Sequence, residues 1–139
     1  MGTASLTRRI AFSAAHRYSR PDWTAEKNRA TFGLCSLPNF HGHNYVCTAT
    51  VSGPIDDTTG FIADLGAIDD ALESEVMARF DHRNINLEVP EFGEGKMIPS
   101  GENLARFIFE KLQAKLGGTV SVAKVTIAED ETLSATYEK

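Results

Sequence analysis

No run of this sequence comes near the roughly 18 consecutive apolar residues that a membrane-spanning helix needs, and no apolar leader with a small-residue cleavage site stands at its start. Positive charge is not in excess either: 14 Lys and Arg face 19 Asp and Glu, for a formal charge of −5. Nucleic acid and anionic membrane both recruit proteins through a basic field, so neither is an expected partner. Cysteine is scarce. Cys35 and Cys47 are too few for a disulfide framework, and the sequence reads as cytoplasmic with free thiols. Repeats, low-complexity tracts and a glycine-rich dinucleotide fingerprint are also missing. What is present, 42% hydrophobic and 24% charged residues over 139 positions, fits one globular domain, 1–139, able to bury its own core.

Apolar periodicity places the elements. Ile10, Phe12 and Ala14 alternate with more polar neighbours, predicting a strand over 6–17 with His16 near its end. Residues 18–40 hold no sustained period and carry Pro, Gly and Asn; they read as a long functional loop with one helical turn at Trp23–Arg29. Strand chemistry resumes over 41–53, a turn follows at 56–60, and Phe61 and Ile62 are candidates to extend the sheet. Asp64 suits an N-cap for a helix over 65–80, whose Leu65, Ile68, Leu72, Val76 and Phe80 form one stripe. After a Pro/Gly-containing stretch, 81–99, Ser100 can cap a second helix that Gly117 and Gly118 stop. Two closing strands, around Val120–Ile127 and Leu133–Tyr137, predict a hairpin with Asp130 near its turn. The order ββααββ segregates strands from helices, which is the pattern of an α+β fold: an antiparallel sheet with two helices on one face.

Chemistry concentrates in few residues, because there are only 4 histidines. In a strand His41 and His43 project side by side, with Gly42 between them. His16 joins them if the first two strands pair, giving three imidazole nitrogens and one open position, the pattern of a catalytic zinc site. An isolated H-x-H binds metal in a minority of cases, and His16 alone reads equally as a packing residue. Cys35, six residues before His41, has three readings: a small buried hydrophobe, a metal ligand, or a general base whose thiolate a nearby cation favours. Cys47 reads as core. Asp81-His82 could be a proton relay or an ordinary turn after a helix, and as sequence neighbours they need not face each other. Glu129 ends an apolar strand, where a carboxylate could accept paired N–H bonds from an amino-pyrimidinone edge. Glu102, in the first turn of the second helix, suits the helix dipole as well as it suits a ligand. Arg8, Arg9, Arg17, Lys27 and Arg29 are the available phosphate binders, each singly as expected on a solvated surface.

Together these residues resemble the 6-pyruvoyltetrahydropterin synthase family over almost the whole sequence. RRIAFSAAHRY is similar to that family's first strand with its zinc histidine, AEKNRATFGLCSLPNFHGHNY to its most diagnostic segment, DHRNIN to its Asp-His segment and SGENLA to its helix-opening segment. The Cys-x5-His-Gly-His spacing is that of the pyruvoyl synthases; the related 6-carboxytetrahydropterin synthases of queuosine biosynthesis usually carry Cys-x3-His-Gly-His. The resemblance implies a T-fold protomer assembling into an oligomeric barrel, a homo-hexamer of two stacked trimers with active sites between subunits. It implies Zn2+ on His16, His41 and His43; Cys35, Asp81 and His82 as catalytic residues; and Glu129, with Glu102 and Ser100, on the pterin. The implied reaction converts 7,8-dihydroneopterin triphosphate to 6-pyruvoyltetrahydropterin with loss of triphosphate; carboxy-tetrahydropterin formation, cleavage of the pterin side chain and non-catalytic zinc or pterin binding are the alternatives. Two positions depart from the family pattern near the expected pterin pocket: Glu129-Asp130 stands for Glu-Thr, and Ser100-Gly101 for two hydroxyl residues.

Overall fold

In a computed structural model that describes residues 2–118 and 120–139, five strands form one sheet in the order β3-β1-β2-β4-β5. Strand β1 (Ala4–His16) runs antiparallel to β2 (His41–Gly53) along their whole length, with Ala4 opposite Gly53 and His16 opposite His41. Strand β4 (Ser121–Ala128) continues the sheet on β2, and β5 (Ser134–Glu138) closes a hairpin on β4. Asp130 builds the hairpin turn as predicted, its Oδ1 accepting from the Thr132 and Leu133 N–H groups. The two-residue β3 (Arg83–Asn84) lies parallel to Ala14 and Ala15 of β1, so the sheet is not antiparallel throughout.

Alternation sets the two faces. Phe12, Ala14 and His16 of β1, Tyr45, Cys47, Ala49 and Val51 of β2, and Val125 and Ile127 of β4 are buried together. The predicted helix over 65–80 is helical throughout, as α2 (Leu65–Leu72), a π turn (Glu73–Met77) and α3 (Ala78–Phe80). Asp64 caps it by accepting from Gly66 N. Ile68, Leu72, Val76 and Phe80 are buried while Leu65 is exposed, so the stripe begins one turn later than its spacing suggests. Phe61 is likewise exposed, and neither it nor Ile62 joins the sheet.

The segment 18–40 differs from its expectation. Thr24 caps an eight-residue helix, α1 (Ala25–Phe32), and a 3-10 turn over Gly33–Ser36 follows. Its buried residue is polar: Asn28 accepts from Arg20 N and donates to the Arg20 and Thr24 carbonyls. A helix fixed by one amide rather than an apolar stripe carries no hydrophobic period to read. Between the helices a short α4 (Ile85–Glu88) and a 3-10 turn (Pro90–Phe92) occupy the Pro/Gly-containing stretch 81–99. Ser100 caps α5 (Gly101–Leu116), its hydroxyl accepting from Asn103 N, and α5 packs on β4 and β5. A Cβ at Gly101 would meet the Ala135 Cβ at 3.3 Å, so the helix start lies close against β5. Among the described residues no helix is long and apolar enough to cross a membrane.

Candidate active site

The β1–β2 register brings the histidines together. His16 stands directly opposite His41, and Ala14 opposite His43, so three rings share one end of the inner face. Ring centroids lie 4.6 Å apart for His16–His41, 5.1 Å for His16–His43 and 5.0 Å for His41–His43. One nitrogen from each falls within 4.8 Å of the others, a group able to hold a metal ion. Gly42 keeps the strands close between them, since a Cβ there would stand 3.3 Å from the Ala14 carbonyl oxygen, a tight contact.

Three observations fit these rings to a cation. His16 is fully buried and its Nδ1 lies 2.8 Å from the Pro99 carbonyl oxygen, which only accepts; Nδ1 therefore carries the proton and Nε2 a free lone pair. That Nε2 lies 3.0 Å from Nε2 of His41. His43 Nε2 is buried with no hydrogen-bond partner. Electrostatics agree, because a ligating imidazole must be neutral. Burial, and then the neighbouring histidines against the raising effect of the Pro99 bond, brings His16 down to about 4; burial and His43 lower His41 as well.

Glu129 borders the same space, its Oε2 3.9 Å from His43 Nε2, too far for a hydrogen bond. It shares a cavity of about 440 Å³ with Tyr18, Ser100 and Glu102, so the three residues assigned to the substrate do meet. Ser100 serves there also as helix cap, and Asp130, one of the family departures, is occupied in its turn. Cys35 sits half-buried on the 3-10 turn after α1, its carbonyl accepting from Tyr18 N at 2.8 Å. Burial, and secondly the Glu129 charge, raise its thiol; a divalent cation in the histidine cluster would oppose both. Cys47 is buried in the core as expected.

Asp81 and His82 are not bonded to this group, although His82 and His43 line one open groove across the end of β1. His82 adopts a left-handed backbone, φ 60°, at the β3 edge, and donates its N–H to Ser13 O. That kink turns the imidazole back, so Nδ1 lies 3.0 Å from Asp81 Oδ2, and the neighbours do face each other. Asp81 Oδ1 accepts from Ser13 N, and this bond, with His82, lowers its carboxyl. The His82 side chain is 84% exposed, and among the described residues no hydrogen bond links it to Cys35 or to the three histidines.

Among the phosphate-binder candidates, Arg8 points to the helix side and pairs through two bonds with Asp69. Arg17 donates to the Ser36 carbonyl, Lys27 lies over Trp23, and Arg9 lines the outer-face cavity beside Glu129. Sequence reasoning passed over Tyr45, whose hydroxyl lies 3.1 Å from His16 Nδ1, although 41, 43 and 45 share one strand parity. It also passed over Tyr18, and over the Pro99 carbonyl, which no side-chain pattern announces.

A family model described as 6-pyruvoyl tetrahydropterin synthase matches residues 5–139. The chain belongs to this family. Human 6-pyruvoyl tetrahydrobiopterin synthase is 36% identical over 135 residues, covering 97% of this chain and 91% of the relative. The Pongo abelii protein of the same name is 40% identical over 81% of this chain and 77% of its own. The Caenorhabditis elegans 6-pyruvoyl tetrahydropterin synthase structure superimposes with a TM-score of 0.92 at 34% identity, covering 100% of this chain and 97% of that one. The α+β fold with its five-stranded open sheet is therefore the fold of the 6-pyruvoyl tetrahydropterin synthase family, and the histidine cluster lies in a family of pterin enzymes.

Proposed function

We propose that this protein is a zinc-dependent lyase that converts 7,8-dihydroneopterin triphosphate to 6-pyruvoyltetrahydropterin and triphosphate. The observation that carries the reading is the convergence of three imidazoles, one with an orphaned buried nitrogen, with the Glu129 carboxylate and the cavity it lines at their border. Three nitrogen ligands with an open position favour zinc in its catalytic form. Bound there, the metal supplies Lewis-acid polarisation of the hydroxyls on the substrate's side chain.

The protein's own residues divide the rest. Glu129 accepts the amino-pyrimidinone N–H groups and sets the ring, with Ser100 and Glu102 on the cavity wall. Cys35 Sγ, as thiolate, takes a carbon-bound proton from the side chain of the substrate. Asp81 holds the His82 Nδ1–H, leaving Nε2 to receive or return a proton. Loss of triphosphate by elimination, followed by an internal redox shift from side chain to ring, balances electrons without a nicotinamide or flavin.

The exposed His82 supports an oligomeric reading. A dyad held at a sheet edge, with no bond to the thiol it would serve, suits a site completed by a neighbouring subunit. β1 pairs with β3 at only two residues, and β5 ends the sheet on the other side, so both edges carry backbone groups able to pair with another copy. A homo-hexamer of two stacked trimers, working in the cytoplasm, is the form proposed.

Mass spectrometry of the product made from 7,8-dihydroneopterin triphosphate by zinc-loaded protein tests the reaction. The expected masses are those of 6-pyruvoyltetrahydropterin and triphosphate. A 6-carboxy-tetrahydropterin, or a pterin that has lost its side chain, would sink the assignment.

A further inference from the structure

Tyr18 connects three parts of the site that are remote in sequence. It stands two residues beyond the end of β1, and its backbone N–H donates to the carbonyl of Cys35. Its ring edge meets His16 at 4.9 Å between centroids and Phe32 at 5.9 Å. Its hydroxyl reaches across to donate to Glu129 Oε1 at 3.0 Å. Phenols ordinarily keep their proton to about pH 10, so at neutral pH this group is a donor. Among the described residues it is the one side-chain hydrogen bond on that carboxylate.

The Glu129 side chain is only 12% exposed, and a carboxylate so far removed from water needs donors. An ionised carboxylate offers about four acceptor sites. The Tyr18 bond uses one of them and leaves both oxygens able to accept from a ligand. Without it the carboxylate can rotate toward His43, 3.9 Å away, and out of line with a pair of N–H donors. We infer that Tyr18 is a positioning residue: it fixes the rotamer of Glu129 and so sets how tightly the amino-pyrimidinone edge of the pterin is held. This rests on the reading of Glu129 as the pterin anchor.

Tyr18→Phe separates the two roles of the side chain, because Phe keeps the ring against His16 and Phe32 and loses only the donor. The probe is neopterin, which carries the same ring edge without triphosphate, titrated by fluorescence into the zinc-loaded protein. Tyr18→Phe is expected to weaken neopterin by about 10-fold, in the range of one hydrogen bond to a charged group. Its zinc content should stay at the wild-type value, and circular dichroism should show the same fold, with the melting midpoint lowered only as far as one lost hydrogen bond on Glu129 requires. With true substrate, KM should rise by a similar factor while kcat moves less than about 3-fold, as for lost ground-state binding. In a Glu129→Gln background the further change Tyr18→Phe should have little effect, since the two act as one unit.

The outcomes are distinct. If Glu129→Gln weakens neopterin but Tyr18→Phe does not, the inference falls and the anchor reading stands. If Glu129→Gln leaves neopterin binding unchanged, the anchor reading itself fails and takes the inference with it. A Tyr18→Phe effect of full size in the Glu129→Gln background would mean that Tyr18 touches the ligand directly, and loss of zinc in Tyr18→Phe would make it a metal-site residue; either overturns the positioning role.

Discussion

The two sides of β1 at its C-terminal end treat histidine in opposite ways. On the β2 side three imidazoles are locked by strand register, one of them fully buried, and none needs a group from another subunit to meet the others. At the β1–β3 edge, His82 sits beside a two-residue strand with a left-handed backbone and most of its side chain in solvent. The first arrangement is fixed by the strand pairing of the fold itself and anchored by the buried His16. The second is held by Asp81 and one backbone bond. On the oligomeric reading proposed above, the site combines a part complete in the protomer with a part that a neighbouring subunit completes.

The largest effect expected from this contrast lies on the β2 side. His41→Ala or His43→Ala should weaken zinc by more than about 100-fold, since even outer-shell partners of metal ligands are worth 10–100-fold. Activity should vanish with the metal while circular dichroism keeps the helices, because neither side chain belongs to the apolar core. Normal zinc occupancy in both variants would remove the assigned ligands. Cys35→Ala and His82→Ala should each retain zinc and lose about 10²–10⁴-fold in kcat, the usual worth of a general acid or base. Mixed and reassembled in equal amounts, these two inactive proteins should regain about a quarter of wild-type activity if each site draws the thiol from one subunit and the imidazole from its neighbour. No recovery would place both groups in one subunit and break the comparison.

A smaller effect separates the two sides by pH. His16 is depressed from 6.5 to about 4 by burial, so as pH falls the unfolded state takes up the proton first. Between those values the unfolded state holds more protons, and stability therefore falls as pH drops from about 6.5 and levels off below about 4. The full loss is about 3 kcal/mol for this one group. Urea unfolding of chelator-stripped protein at pH 7 and pH 4 should show at least this loss, to which His41, lowered in the same direction, adds, and a flat profile would mean that His16 is not buried as neutral imidazole.

Legibility in the sequence follows the same division. The pair His41 and His43 was readable because strand parity alone fixes their shared face, and His16 because two alternating strands of matching length pair readily. Helix α5 was readable from Ser100, its apolar stripe and Gly117. Helix α1 was readable only as one turn at Trp23–Arg29 and not to its full length: its anchor is Asn28, and Lys27 stands where a capping box after Thr24 would carry Glu. The facing of Asp81 and His82 depends on one positive φ, which an exposed His does not announce. Tyr18 depends on Glu129, 111 positions away, and nothing local to either marks the bond.

The smallest expected effect is the sharpest statement of the contrast. Holding a residue with a side chain at φ 60° is unfavourable by about 1–2 kcal/mol relative to glycine, while glycine in exchange raises the entropy of the unfolded state by a similar amount. The bond between His82 and Asp81 is exposed and contributes little. His82→Gly should therefore leave the unfolding free energy within about 1 kcal/mol of wild type, and a chemical-denaturation curve reads this directly. If the same protein loses turnover while keeping zinc, the strained edge exists for chemistry and not for the fold. A His82→Gly protein that is destabilised by several kcal/mol would instead make the Asp81–His82 pair a structural clasp between β1 and β3, and the relay assigned to it would lose its motive.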